Sequence, residues 1–342
     1  MTRARVARAR APVRIDLAGG WTDVQPYCND QAGAVVNIAI TRYAYATLRP
    51  LAPGSYELTS ADYDYYFQAA TIRELEYDGN LDLVKAAIRR RGLETGAQII
   101  TRSEAPPGSG LGSSAAMGVA LVGLLDYING GHMSSADIAH MAHLLEVEEL
   151  GIGGGQQDQY AAALGGVNYM RFLGEAVEVE PLRASTDFIF ELEKHLIVVY
   201  TGKSRLSGNI IDSVMGAYRA GDPTVTQALH NLRAAAEEMK AAIQAEDLRR
   251  VGEVMDFNWE NQKRLYDEMT TLKIEALHQA MAAEGLFGLK ASGAGGGGCV
   301  IALAQPDREH LVARAAEDLG GQIIDFKVDF TGLQRWWAVS TE

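Results

Sequence analysis

From Val13 to about Leu48 apolar residues alternate with polar ones or gather in short β-rich runs: VRIDLAGG ends in a paired-glycine turn, and AVVNIAI and YAYATL follow. Period-two alternation bounded by turn residues marks half-buried strands, so two or three antiparallel strands are predicted. A second strand pair is predicted over SYELTS and YDYYFQA. The spacing then lengthens: LDLVKAAIRRRG has helical period and stops at Gly92, a residue suited to end a helix. AQIITRSEA reads as a strand running into PPGSGLGSSAAMGVALVGLLDYING, where Pro and Gly forbid regular structure until a small-residue helix starts at Ser113 or Ser114. SADIAHMAHLLEVEELG is a further helix, GIGGGQQDQYAAALGG a glycine-flexed loop with a short helix, and VNYMRF a short strand.

HLIVVYTG opens a second set of elements. Helices are predicted from about Asn209 to Ala220, Thr224 to Ala245, Leu248 to Tyr266 and Ile274 to Glu284. The tail reads as strand GLFGLKAS, strand CVIALA, helix REHLVARAAEDLG and strand QIIDFKVDF, a β-β-α-β series that points to a ferredoxin-like α+β domain. With neither an internal repeat nor a low-complexity linker, the division is placed at 185/186: residues 1–185 would form an N-terminal nucleotide-binding domain and 186–342 the C-terminal one.

Composition narrows the partners. The 342 residues are 47% hydrophobic, enough for a substantial core, and 44 acidic against 31 basic residues give a net charge of −13. That charge repels nucleic acid and anionic lipid but leaves small anionic substrates open, since a few cations and backbone amides in one cleft outweigh a distant surface. Cys28 and Cys299 form no C-x-x-C pair, which suggests reduced thiols and a cytoplasmic protein. The basic start MTRARVARARAP lacks the apolar core of a secretory signal, and no stretch is long enough to span a membrane. Both monomer and homodimer remain open.

Three segments carry candidate chemistry. The first runs Pro107-Gly108-Ser109-Gly110-Leu111-Gly112-Ser113-Ser114. Its glycines let several backbone N–H groups converge on one anion, and the helix that follows adds free amides and the positive end of its dipole. One of the paired serines can donate to phosphate while the other ligates Mg²⁺. The second, RIDLAGGWTD, brings Arg14, Gly20, Trp21, Thr22 and Asp23 to a strand end, where the carboxylate can accept hydrogen bonds from a polyol. The third, Gly151 to Gly166, holds Gln156, Gln157 and Asp158, amides and a carboxylate suited to hydroxyl recognition and general-base work.

Better-known fingerprints fail. Gly293 to Gly298 satisfies G-x-G-x-x-G but runs into the β-rich CVIALA rather than a helix. Gly202-Lys203-Ser204 resembles the end of a P-loop, yet Ile197 stands where glycine is required. His140 and His143 lack the H-E-x-x-H setting and read as surface helix positions.

In order and spacing, PVRIDLAGGWTDV, PPGSGLGSSAA and KASGAGGGGC resemble the three signature motifs of the GHMP kinases, the superfamily of galactokinase, homoserine kinase, mevalonate kinase and phosphomevalonate kinase. The resemblance spans residues 12 to 299. It implies an N-terminal domain like ribosomal protein S5 domain 2, a ferredoxin-like C-terminal domain, and a cleft between them that binds ATP and Mg²⁺. Residues Pro107 to Ser114 would hold the nucleotide. Ser114 and a glutamate on the next helix would hold the metal, Glu146 fitting the register better than Glu148 or Glu149. Asp158 would be the base, and Arg14 a cation beside either phosphate or base. Some family members carry lysine in this segment, so the arginine is a departure. Asp23, with Gly20, Trp21, Thr22, Gln156 and Gln157, would contact the acceptor. Ser292, Gly293, Gly295 and Gly296 would support the phosphate loop, with Cys299 a packed side chain beside them.

GGGQQDQYAAALGG further resembles the catalytic loop of the sugar-1-kinase branch. With GGVN and YTGKSR it is most similar to heptose 7-phosphate 1-kinases, which implies a phosphorylated acceptor and assigns Lys203 and Arg205 to its phosphate. GGWTD is instead similar to L-fucose kinase domains. Asp158, Ser114 and the glutamates together speak against a catalytically silent sugar-binding homologue.

Overall fold

A computed structural model describes residues 5–93, 95–202 and 208–339. The first lobe comprises β1 (Arg5–Ala18), α1 (Tyr27–Gln31), β2 (Gly33–Leu51), β3 (Tyr56–Ser60), β4 (Tyr65–Ala69), α2 (Asp82–Arg91), β5 (Gly96–Ser103), α3 (Ser113–Ile128), α4 (Ser135–Leu144), α5 (Gln157–Leu164), β6 (Val167–Leu173) and β7 (Ala176–Pro181). After α6 (Thr186–His195) come β8 (Leu196–Tyr200), α7 (Gly208–Arg219), α8 (Pro223–Gln244), α9 (Leu248–Gln262), α10 (Leu272–Gly285), β9 (Leu286–Ala291), β10 (Cys299–Ala304), α11 (Glu309–Asp318), β11 (Gln322–Ile323) and β12 (Gln334–Val339).

The first sheet has the order β12-β1-β2-β5-β3-β4, with β6 and β7 branching from β2. This branch arises because β2 is 19 residues long: Gly33–Ile38 pair with β6 and Ala44–Leu51 with β5. The second sheet runs β11-β8-β10-β9, all antiparallel. Numbered by chain order that is 4-1-3-2, the ferredoxin-like arrangement expected from the tail. The α+β architecture and its two sheets thus agree with expectation.

Four features differ from it. The first strand begins well before Val13: residues 5–10 form the first half of β1, with Val6, Ala7 and Ala9 buried and Arg5 and Arg8 exposed. The segment 174–195, left without elements, carries β7 and α6, whose start is capped by Ser185 accepting from Phe188 N. QIIDFKVDF contributes only Gln322–Ile323 to the second sheet, because the chain then crosses to the first, where Val328 bridges Ile40. Finally, β12 continues that crossing and pairs with β1 from Arg10↔Gln334 to Arg5↔Val339, so the expected division at 185/186 does not keep the last strand in the second lobe.

Two cores result. In the first, the buried small-residue face of α3 (Ala116, Val119, Ala120, Leu124) packs on β1 and β2. The second fills the space between the second sheet and its helices, and it also takes in Trp21, Val24 and Tyr27 from the first lobe. The turn after β1 is thereby plugged into the C-terminal core, which fixes one wall of the cleft between the lobes.

Candidate active site

The segment between β5 and α3 turns through left-handed φ values at Gly108 (64°), Gly110 (75°) and Gly112 (76°). Side chains there would be strained, and a Cβ at Gly110 would also lie 2.5 Å from the carbonyl oxygen of Ser292. The contact is deliberate packing: Ser292 Oγ donates to Gly110 O at 2.9 Å, and Cys299 N donates to Ser109 O at 2.8 Å. Gly293 and Gly295 lie in the same wall, while Gly296 N donates to Met269 O. The third motif therefore packs against the second, and Cys299 is buried with its thiol pushed up to about 12 by burial.

Ser113 opens α3, so the helix's first free amides face a cleft of about 300 Å³. The cleft is lined by Gly108 to Gly110, Gly112, Ser113 and Ser114 together with Arg14, Asp16, Asp23, Glu146 and Asp158. An anion placed against those amides needs no additional side-chain charge. Leu111 turns its side chain into the core and offers its carbonyl to Arg14 N at 3.0 Å, and Pro107 stands exposed outside the cleft wall.

Asp158 sits in the first turn of α5, close enough to the loop that a Cβ at Gly112 would lie 3.0 Å from its Oδ2. Arg14 grips it with two bonds, Nε to Oδ1 and Nη2 to Oδ2, both 2.7 Å. Its Nη1 donates to Gly110 O at 2.6 Å. All three guanidinium nitrogens are engaged by protein, and a fork of this kind holds the Asp158 carboxylate in one orientation.

Ser114 Oγ donates to Glu146 Oε1 at 2.5 Å, and Gln159 Nε2 donates to Oε2 at 2.6 Å. Glu146 reaches this spot from a π-helical turn, Leu145–Glu149, that widens the end of α4. Burial, with Asp158 adding to it, pushes Glu146 up to about 7. Glu148 and Glu149 face away and pair with Arg90. A hydroxyl and one carboxylate facing the phosphate loop suit Mg²⁺, which completes its shell with phosphate oxygens and water; no cluster of three or more His, Cys, Asp or Glu occurs among the described residues.

On the acceptor side Asp23 is buried, with Oδ2 accepting from Gln157 N at 3.1 Å and Oδ1 from Gln157 Nε2 at 3.4 Å. Gly20 and Trp21 line the cleft beside it. Thr22 does not: it is buried and locks the turn, Oγ1 donating to Gly19 O at 2.7 Å. Gln156 lies behind, in an adjoining chamber. His143, expected at the surface, is buried on α4. Lys203 and Arg205 fall outside the described residues.

Two residues under the cleft were not singled out for this role in the sequence. Lys290 of β9 is fully buried, with Nζ 3.0 Å from Asp16 Oδ2 and 2.8 Å from Asp16 O. Asp16 lies two residues beyond Arg14, so this ion pair joins the second sheet to the strand that carries the guanidinium. The Asp16 carboxylate occupies the space a side chain at position 20 would need, since a Cβ on Gly20 would lie 2.1 Å from Oδ2. Both residues stand inside glycine-rich motifs, where the glycines drew attention to the backbone.

Burial, and after it Asp158, raises Asp23 from an ordinary 3.8 to about 6. A carboxyl with a raised value in the folded state stabilises folding below its unfolded value and loses that contribution as pH climbs through 6. Asn mimics the protonated form. Asp23→Asn is therefore expected to be more stable than the parent by ~2 kcal/mol at pH 7.5, with the gain vanishing near pH 4, while acceptor binding weakens. Urea unfolding at the two pH values checks this; a variant less stable than the parent at pH 7.5 contradicts it.

Comparison with known proteins agrees with this geometry. Residues 81–166 match the GHMP kinases N terminal domain and residues 239–321 the GHMP kinases C terminal domain. The D-glycero-alpha-D-manno-heptose 7-phosphate kinase of Campylobacter jejuni is 30% identical over 339 residues, 97% of this chain and 99% of that protein. The bifunctional fucokinase/GDP-fucose pyrophosphorylase of Arabidopsis thaliana is 30% identical over 318 residues, 88% of this chain but 30% of that protein. A crystal structure of a D-glycero-D-manno-heptose 1-phosphate kinase from Bacteroides thetaiotaomicron superposes with a TM-score of 0.82 at 29% identity, covering 98% of this chain and all of that one. With the phosphate loop, the buried carboxylates and the ferredoxin-like second sheet already in place, these matches show that the chain belongs to the GHMP kinase family.

Proposed function

We propose that this kinase transfers the γ-phosphoryl group of ATP to the anomeric hydroxyl of a sugar, and that the sugar is D-glycero-D-manno-heptose 7-phosphate. The observation that carries the phosphotransfer reading is the Arg14-fixed Asp158 carboxylate lying against the phosphate loop at Gly112. The choice of sugar is supported by a heptose phosphate kinase similar over nearly the whole of both chains.

The loop amides and the start of α3 bind the triphosphate. Ser114 and Glu146 would hold Mg²⁺, which when bound neutralises charge on the phosphate oxygens. Phosphoryl transfer is loose, so positioning and charge neutralisation dominate over covalent activation. Asp158 accepts the proton of the attacking hydroxyl and orients it, Arg14 fixes which carboxylate oxygen faces that hydroxyl, and Asp23 receives a further sugar hydroxyl. No helix among the described residues is long and apolar enough to cross a membrane, and with a charge of −13 we take the working partners to be small molecules, in the cytoplasm.

L-Fucose is the second reading, favoured by Trp21 in the cleft wall and by the plant fucokinase relative. ADP release with heptose 7-phosphate, unphosphorylated heptose, L-fucose, galactose and arabinose separates the two. The highest kcat/KM is expected with heptose 7-phosphate, with phosphorus NMR placing the new phosphate on the anomeric oxygen. A larger kcat/KM with L-fucose selects the second reading, and no turnover of any sugar alongside tight ATP binding overturns both.

A further inference from the structure

Behind Asp23 the cleft meets a second chamber of about 250 Å³. The two share Asp23, Val24, Gly153, Gly154 and Ile211 as common walls, so the chambers adjoin. The second chamber is built differently from the cleft. It is lined by His143 from α4, Gln156 and Gln25 from loops, and Arg219 and Asp212 from α7.

Two buried polar atoms there lack a partner among the described residues, although Gln156 Nε2 donates to Gly174 O at 3.5 Å. Gln156 is 3% exposed and its Oε1 lacks a hydrogen bond; His143 is 7% exposed and its Nδ1 lacks one too. Unmet buried polar atoms of this kind cost stability unless something else satisfies them. Arg219 makes no ion pair among the described residues, in contrast to Arg14 and Lys290, which are committed to Asp158 and Asp16. Burial, with His140 beside it, pushes His143 down to about 4, so the imidazole is a neutral hydrogen-bonding group and, among the described residues, Arg219 supplies the chamber's positive charge. Of the two carboxylates there, Asp23 already accepts two hydrogen bonds from Gln157, and Asp212 is exposed to solvent on α7.

The groups also follow a linear order. Asp158 stands at the phosphate loop, Asp23 belongs to both chambers, and Arg219 lines only the far one. A sugar whose anomeric hydroxyl meets Asp158 and whose ring meets Asp23 can direct the opposite end of its carbon chain into the adjoining chamber that Arg219 lines.

We propose that this rear chamber is the subsite for the distal end of the acceptor, with Arg219 binding a phosphate on the terminal carbon and His143 and Gln156 binding the chain hydroxyls next to it. The inference rests on the sugar-phosphate reading of the site. It deepens that reading by assigning the terminal phosphate to a side chain on α7 and by making this cation the discriminator between phosphorylated and neutral acceptors. A guanidinium suits the task, since it presents two parallel donors to a phosphate.

The test compares D-glycero-D-manno-heptose 7-phosphate with the same heptose lacking the phosphate, using the full chain and its Arg219→Gln variant. Arg219 is exposed, so the substitution leaves the core intact. The ratio of kcat/KM for the phosphorylated sugar to that for the neutral one is expected to fall at least tenfold, through KM of the sugar rather than of ATP. His143→Gln and Gln156→Leu are expected to raise KM for both heptoses. An unchanged ratio in Arg219→Gln, with the unaltered enzyme still preferring the phosphorylated heptose, overturns the subsite while leaving the functional reading standing. Turnover of L-fucose but of neither heptose by the unaltered enzyme overturns the functional reading and the phosphate subsite together.

Discussion

Asp158→Asn is expected to lower kcat by about 10²- to 10⁴-fold, the usual range when a positioned general base is removed. KM for ATP should move little, because on the proposed function the nucleotide would be held by the loop amides and the start of α3 rather than by this carboxylate. The substitution is conservative in the fold: an Asn oxygen still accepts one of the two Arg14 bonds, and the position is partly open to the cleft. Loss of kcat with retained ATP affinity therefore reads on chemistry and not on unfolding. Steady-state ADP release together with ATP binding by calorimetry separates the two, and a variant retaining parental kcat would remove Asp158 from the proton-transfer role.

The largest stability effect is expected at Lys290→Met. Removing one member of a buried ion pair leaves the other as an unpaired charge, at a cost of about 3–5 kcal/mol. Here Asp16 would lose its ammonium, and its Oδ1 already lacks a hydrogen bond among the described residues. The double variant Asp16→Asn/Lys290→Met removes both charges and should recover much of the loss, so the cycle measures the coupling directly. Because Lys290 also donates to the carbonyl of Asp16, on the strand that carries Arg14, we expect kcat to fall in both variants even where stability returns. In that case Lys290 is a positioning residue. Denaturant unfolding within about 1 kcal/mol of the parent for Lys290→Met alone would contradict the account.

Much of this was readable in the chain before any coordinates. The phosphate loop announces itself because left-handed glycines followed directly by a small-residue helix have few other uses, and Gly108, Gly110 and Gly112 do adopt that conformation. The ferredoxin-like second sheet was legible because its strands are uniformly apolar and its connections regular. Ser114 and Asp158 were legible from their glycine loops and Glu146 only through the family resemblance, and the structure brings all three to one cleft. What escaped is what depends on long-range pairing. The strand Gln334–Val339 has alternating exposure, but only its partnership with Arg5–Arg10, more than three hundred residues away, makes it a strand. Thr22 looked like a substrate contact because a hydroxyl at a turn serves either neighbour or ligand, and nothing local says which. Lys290 and Asp16 are charges in apolar surroundings whose partnership spans the two sheets, so neither motif alone reveals it.

That returning last strand bears on how the molecule is made. During synthesis β1 emerges early, yet one edge of its first half has no neighbour until β12 is released, after the whole second lobe. An unpaired edge is a template for wrong partners. Arg5 and Arg8, exposed along that stretch, put charge beside the open edge, a feature that disfavours edge-to-edge pairing of strands.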